Sequence, residues 1–338
     1  MVELVTWVGL PIDEKLMIKK NRLMPDVTEN IKIIKTDGEE DSESQRQADM
    51  EQSRLKRISI VTGIHGDELE GQYVCYELQR RINLERHNLK GIVDIYPAMN
   101  PLGVDSITRG IPAFDLDMNR LFPGNKDGNM TEYLAAGIMN DVMGSDLVLD
   151  IHASNIYLTE IPQIRINELH KDFLLPMAEL SNVDFIWVHG ASTVLKATFA
   201  HSLNSVGTPV LVCEMGVGMR LTREYGDQLV NGIFNLMKEL GIWKGQVEKV
   251  RRPIISQNPE DVIYLNASAS GLFVPEVKHG TILNRGDLIG RIVNPLDGRV
   301  LDEVKAPDEG MLFTIRDYPI VDEGSLMGRI LKREVLGL

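Results

Sequence analysis

An apolar, mostly β-branched run at residues 58–61 leads straight into Thr62-Gly63-Ile64-His65-Gly66-Asp67-Glu68. The run reads as a buried strand. Leu69, Tyr73, Val74 and Leu78 then recur at three- and four-residue steps, the period of a helix. Strand, tight turn and helix in that order point to an α/β fold, where sites form beyond the carboxyl ends of the strands. His65 and Glu68 occupy that turn, and an imidazole and a carboxylate are donors that zinc accepts at about 2.0–2.2 Å. A single pair of this spacing is also what an ordinary surface turn contains. A catalytic zinc needs a third protein ligand and an open position for water.

The same grammar recurs twice. An apolar strand over residues 146–151 ends in His152, and Asp150, two residues earlier, lies on the same side of it. Asp150 can therefore orient the imidazole, as carboxylates commonly do for metal-bound histidines. Residues 209–213 form another apolar run, and Glu214 follows. A carboxylate buried there without a partner would be costly, so three such strand ends point to one shared site. Between them, residues 108–124 form a long irregular stretch that includes Arg109, Asn119 and Arg120. Loops of that length are usually functional or disordered, and the Phe and Leu content of this one argues against disorder. Helices are expected over 69–81, 131–143 and 227–240, with a further strand over 91–97.

The length of 338 residues suggests two domains, and 43% hydrophobic content is enough for a sizeable core. A formal charge of −13 argues against phosphate-backbone binding, so a small molecule or peptide is the expected partner, not nucleic acid. Cys75 and Cys213 lie far apart and read as buried free thiols. Without a basic leader or a run of roughly 18 apolar residues, a soluble cytoplasmic protein with no membrane partner is expected. Residues 1–35 read as short strands and 36–57 as a solvated loop. From residue 254 onward, short strands at 271–275, 286–293, 298–304, 310–315 and 325–331 alternate with Gly and Pro turns, as in a small all-β unit. The expected division is a catalytic domain over 1–250 and an accessory β domain over 254–338. His87, His170, His189, His201 and His279 lack partner spacing and read as structural or surface residues. For Arg165 two readings stand, a residue that reaches the pocket and the preferred one, the end of a strand; Cys213 reads as facing away from Glu214.

Taken in order, His65-Gly66-Asp67-Glu68, Asp117-Met118-Asn119-Arg120 with Phe122-Pro123-Gly124, Asp150-Ile151-His152 and Glu214-Met215-Gly216 resemble the motifs of the succinylglutamate desuccinylase/aspartoacylase family. That family belongs with the zinc carboxypeptidases, and the match covers residues 58–216. The resemblance implies a mixed-sheet, zinc-carboxypeptidase-like α/β/α catalytic domain with one Zn2+ per chain, held by His65, Glu68 and His152 with water in the fourth position. It further implies Glu214 as general base, Arg109 as the residue that polarises the scissile carbonyl, and Asn119 with Arg120 as the grip on the substrate carboxylate. The implied reaction is hydrolysis of the amide in a small anionic substrate, an N-acylated amino acid or related small carboxylate. Met118 stands where the family usually has leucine, and the acyl-pocket residues of characterised members have no match here, which leaves the acyl group open. The final strands resemble the lipoyl- and biotinyl-type sandwich, of sandwich-hybrid kind, that often follows this catalytic domain. Residues 294–298 carry no lysine for a carrier role, so the lobe is expected to shape or cover the cleft or to support a homo-oligomer. Two alternatives stay open: a metallocarboxypeptidase acting on short peptides, and a catalytically silent metal-binding protein.

Overall fold

A computed structural model describes residues 1–26, 55–112, 114–190 and 196–337. The expected strand at 31–34 and most of the expected solvated loop at 36–57 lie outside the described residues. The first eight strands are β1 (Val2–Gly9), β2 (Lys15–Leu23), β3 (Arg57–Thr62), β4 (Ile92–Tyr96), β5 (Leu147–Ala153), β6 (Leu158–Asn167), β7 (Phe185–His189) and β8 (Val210–Gly216). Four of them, β4, β3, β5 and β8, pair in parallel. Their near-continuous apolar sequence follows from being covered on both faces, and every residue of β4 and β5 is buried. At one edge the β1–β2 hairpin is antiparallel. There the pattern alternates, with Leu16 and Ile18 turned inward and Met17 and Lys19 outward.

Helices close both faces. The expected helices appear as α1 (Glu70–Leu84), α3 (Met130–Val142) and α6 (Arg223–Glu239), joined by the shorter α2 (Pro101–Ser106), α4 (Lys171–Ala178) and α5 (Phe199–Ser205). Val74, Leu78 and Ile82 of α1 and Leu229, Ile233 and Leu236 of α6 pack on Ile58, Ile60 and Leu149. Leu134 and Ile138 of α3 and Phe199 and Leu203 of α5 cover Val61, Val148 and Val210 on the opposite face. Two glycines set the spacing at the first strand end. A Cβ on Gly71 would come within 2.0 Å of Thr62 Oγ1, so α1 lies directly on β3. A Cβ on Gly66 would come within 1.9 Å of the Gly103 carbonyl carbon, so the His65 turn rests on α2, which leads into the loop that carries Arg109. The Gly66 N–H donates to Arg109 O at 3.3 Å across that contact.

The last strands are β9 (Ile254–Ser256), β10 (Val262–Asn266), β11 (Gly271–Pro275), β12 (Ile282–Leu283), β13 (Leu288–Val293), β14 (Val300–Lys305), β15 (Gly310–Arg316), β16 (Ile320–Val321) and β17 (Leu326–Lys332), followed by the short α7 (Arg333–Leu336). A four-stranded antiparallel sheet, in the order β14-β13-β11-β16, stands by itself. Strands β15, β17 and β10 instead extend the main sheet, whose path runs β1-β2-β4-β3-β5-β8-β6-β15-β17-β10. Phe273, Ile289 and Ile292 of the small sheet pack on Leu312, Met327 and Ile330, giving the β lobe its own core. No described helix is long and apolar enough to cross a membrane. The substitution Gly66→Ala should destabilise the protein by about 1–3 kcal/mol, because the clash is with backbone that cannot swing aside. Guanidinium unfolding measures this, and an unchanged midpoint would mean that turn and loop are free to separate.

Candidate active site

His65 follows β3, Glu68 precedes α1 by two residues, and His152 lies near the carboxyl end of β5. Parallel register places His152 directly beside Glu214 of β8. The donor atoms of His65, Glu68 and His152 all lie within 4.8 Å of one another, and the three residues are 4%, 3% and 5% exposed. Glu68 stands between the imidazoles: His65 Nδ1 is 2.8 Å from Oε1, and His152 Nδ1 is 2.8 Å from Oε2. The far nitrogens face other carboxylates, His65 Nε2 at 3.1 Å from Asp117 Oδ1 and His152 Nε2 at 3.2 Å from Asp150 Oδ1. Asp150 therefore lies beside the His152 ring, and Asp117, to which the sequence gives no role, lies beside that of His65.

This donor set fits a metal ion. Two imidazole nitrogens and a carboxylate converge, and each imidazole is backed by a carboxylate that sets its orientation. His65 Nδ1 is buried yet has no hydrogen bond of acceptable angle, in spite of its short distance to Glu68. A buried polar atom so placed calls for a partner that the chain itself does not supply. Burial alone would make both histidines less basic and Glu68 more so. The opposing charges win: Glu68 with Asp117 raises the His65 pKa, Asp150 with Glu68 raises that of His152, and the two imidazoles hold Glu68 below the usual carboxylate range. A divalent cation among the same donors would take the place of those protons.

All eight residues singled out from the sequence line one cavity of about 540 Å³. Arg109 donates from Nη1 to Glu68 Oε1 at 2.9 Å, and its Nη2 lies 3.5 Å from Asp117 Oδ2. Asn119 is held by its side-chain oxygen, which accepts from the Phe199 N–H at 2.8 Å. Arg120 Nη1 donates to the Asn119 carbonyl at 2.8 Å. Both guanidinium side chains are about two-fifths exposed, at 42% and 41%, so they present positive charge to an entering molecule. Glu214 is half-buried. Burial raises its pKa, with Arg165 and His152 opposing.

Five further residues line the cavity, four of them against expectation. Arg165 does not merely end a strand: Nη1 donates to Glu214 Oε1 at 3.3 Å and Nη2 to Glu160 Oε2 at 2.8 Å. His170, His189 and His201, read as structural or surface residues, also line the wall, with the rings of His170 and His201 6.3 Å apart. Arg329 of β17 reaches the same wall from the last strands of the chain. The available signal was a lone arginine within an apolar strand, in Ile164-Arg165-Ile166 and in Gly328-Arg329-Ile330. Cys213 is buried and free, as expected.

Because the metal-free imidazoles are more basic than ordinary histidine, protons compete for the site from above the usual value of about 6.5. Metal retention, followed by dialysis and metal analysis across pH, should fall as pH is lowered and begin to fall above that value. His152→Ala should retain none at any pH. Undiminished retention by that variant would remove His152 from the site.

A model of the succinylglutamate desuccinylase/aspartoacylase catalytic domain matches residues 54–240. The N-alpha-acetyl-L-2,4-diaminobutyric acid deacetylase of Halomonas elongata is 28% identical over 287 residues, which span 80% of each chain. Among solved structures, a succinylglutamate desuccinylase from Silicibacter sp. TM1040 superposes with a TM-score of 0.77 at 20% identity, covering 97% of this chain and 94% of that one. The product-bound ectoine utilization protein EutE from Ruegeria pomeroyi gives 0.73 at 19% identity, covering 94% and 89%. The family match spans more than half of the chain, and the matched segment contains the His65, Glu68 and His152 group with Glu214 beside it: this protein belongs to the succinylglutamate desuccinylase/aspartoacylase family of deacylating hydrolases.

Proposed function

We propose that this protein is a zinc-dependent hydrolase that removes the acyl group from a small N-acylated amino acid, with one zinc per chain on His65, Glu68 and His152. The observation that carries the reading is the placement of Glu214 beside His152, across β5 and β8, in the cavity that also holds the metal donors. The name of the Halomonas elongata relative supports an N-acetyl amino acid as the first substrate class to try. The reading treats residues 1–250 as the catalytic domain and 254–338 as an accessory β domain.

When bound, zinc supplies a Lewis acid that activates water and polarises the acyl carbonyl. Glu214 accepts a proton from the attacking water and delivers it to the amide nitrogen, so a C–O bond forms, the C–N bond breaks, and acid and amine leave. Its raised pKa suits a group that must both take and return that proton. Arg109 is assigned to the carbonyl oxygen, because its guanidinium already lies against Glu68 at the metal donors. Asn119 and Arg120 are assigned to the substrate carboxylate, which a planar guanidinium grips through two parallel hydrogen bonds. Asp117 and Asp150 hold the imidazoles in place.

A panel of N-acetyl, N-succinyl and N-formyl amino acids, with N-α-acetyl-2,4-diaminobutyrate among them, is to be run beside C-terminal dipeptides. Turnover of the acylated amino acids is expected; turnover of the dipeptides alone would make the protein a carboxypeptidase, and silence on both would leave a metal-binding protein. Glu214→Gln should keep metal and fold yet lose hydrolysis by at least about 100-fold, the lower range for general-base catalysis. In the parent, kcat/KM should fall on the acid side as the water and Glu214 pair takes up a proton. Arg120→Ala should mainly raise KM and Arg109→Ala mainly lower kcat; equal small effects from both would return them to the status of surface charges.

A further inference from the structure

We infer that Arg329, carried by the β lobe, is a positioning residue for Glu214 and acts on it through Glu160 and Arg165. The inference rests on the reading of Glu214 as the proton acceptor. Glu160 has no exposed surface, and both of its carboxylate oxygens are engaged. Oε1 accepts from Arg329 Nη1 at 2.6 Å and from Thr314 Oγ1 at 3.1 Å. Oε2 accepts from Arg165 Nη2 at 2.8 Å, while the other terminal nitrogen of Arg165 reaches Glu214 at 3.3 Å. The guanidinium of Arg165 is thus divided between two carboxylates.

The sheet fixes this row. Glu160 of β6 lies opposite Gly216 of β8 on one side and Thr314 of β15 on the other, and Thr314 lies opposite Arg329 of β17. Four adjacent strands therefore hold neighbouring members of one chain of contacts. Trp187 lies against both guanidinium groups, 5.8 Å from Arg165 and 5.7 Å from Arg329, and Tyr264 lies 5.7 Å from Arg329. Planar groups seated on aromatic faces have few alternative orientations.

Division of the Arg165 fork is the consequence that matters. A buried carboxylate takes every charge-assisted bond within reach, and a bidentate arginine contact is the strongest on offer. Arg329 and Thr314 occupy one oxygen of Glu160 and so deny Arg165 that bidentate contact, which leaves its second nitrogen for Glu214. Without Arg329, the Arg165 fork closes on Glu160 and the proton acceptor loses its lateral hold. Misplacement of a reacting group by about an ångström costs on the order of 100-fold in rate.

The test is steady-state kinetics on whichever N-acetyl amino acid of the panel the parent hydrolyses best, with metal content and circular dichroism measured on each variant. Arg329→Met and Arg165→Met should each lower kcat by roughly 10- to 100-fold with KM within about twofold and metal content unchanged. The double variant should be no slower than the slower single one, because both break the same chain of contacts. Arg329→Lys, which keeps one bond to Glu160, should recover part of the loss. Should Arg329→Met fail to fold for want of a partner to Glu160, Glu160→Gln/Arg329→Met removes the unpaired charge together with the carboxylate on which the Arg165 fork would close, so it should keep kcat nearer the parent than Arg165→Met does; a kcat as low as that of Arg165→Met would overturn the inference. A folded Arg329→Met variant with parental kcat, a rise in KM alone, or losses that multiply in the double variant would overturn the inference while leaving an inactive Glu214→Gln variant as support for the proton acceptor. Substantial activity in Glu214→Gln, or a parent silent on the whole panel, would overturn both.

Discussion

The buried carboxylate of Glu68 is the contact on which the site depends. It lies between two imidazoles at 2.8 Å on each side and also accepts from Arg109 and from the Ala153 N–H. Removing a charge from water costs several kcal/mol unless partners surround it, and here they come from three separate parts of the chain. Those partners can meet only if β3, β5 and the loop after α2 end at one point. The glycines at 66 and 71 let them do so, since a side chain at either position would meet backbone or a neighbouring strand.

Around that contact, charge is arranged in alternating layers. Carboxylates of Asp117 and Asp150 stand behind the imidazoles, and arginines face the cavity from two sides: Arg109 and Arg120 from the loop, Arg165 and Arg329 from the sheet. A protein with a net charge of −13 thereby gathers four arginines on the wall of one cavity. The wall on the sheet side is completed by the last strands, because β15 pairs with β6 and continues the sheet that carries Glu214. The β lobe is consequently part of the cavity's construction, beyond serving as a separate module with a core of its own.

What the sequence by itself determined lies at strand ends. His65, His152 and Glu214 each follow an apolar run, and a run buried on both faces brings its final polar residue to the same edge of a parallel sheet. Burial pattern and strand length are local properties, so they can be read one segment at a time; the spacing of Asp150 from His152 is local in the same sense. Only the tertiary structure decided which distant residues join them. Asp117 meets His65 across 52 residues, and Arg329 meets Glu160 across 169. The three pocket histidines and Arg165 depend on α5 and on the antiparallel placement of β6 between β8 and β15. Register between strands is set by how whole faces pack, and a shift of one residue would turn Glu160 and Arg329 away from each other. No local pattern records that choice, which is why a lone arginine in an apolar strand reads as an end or a surface charge until its neighbours across the sheet are known.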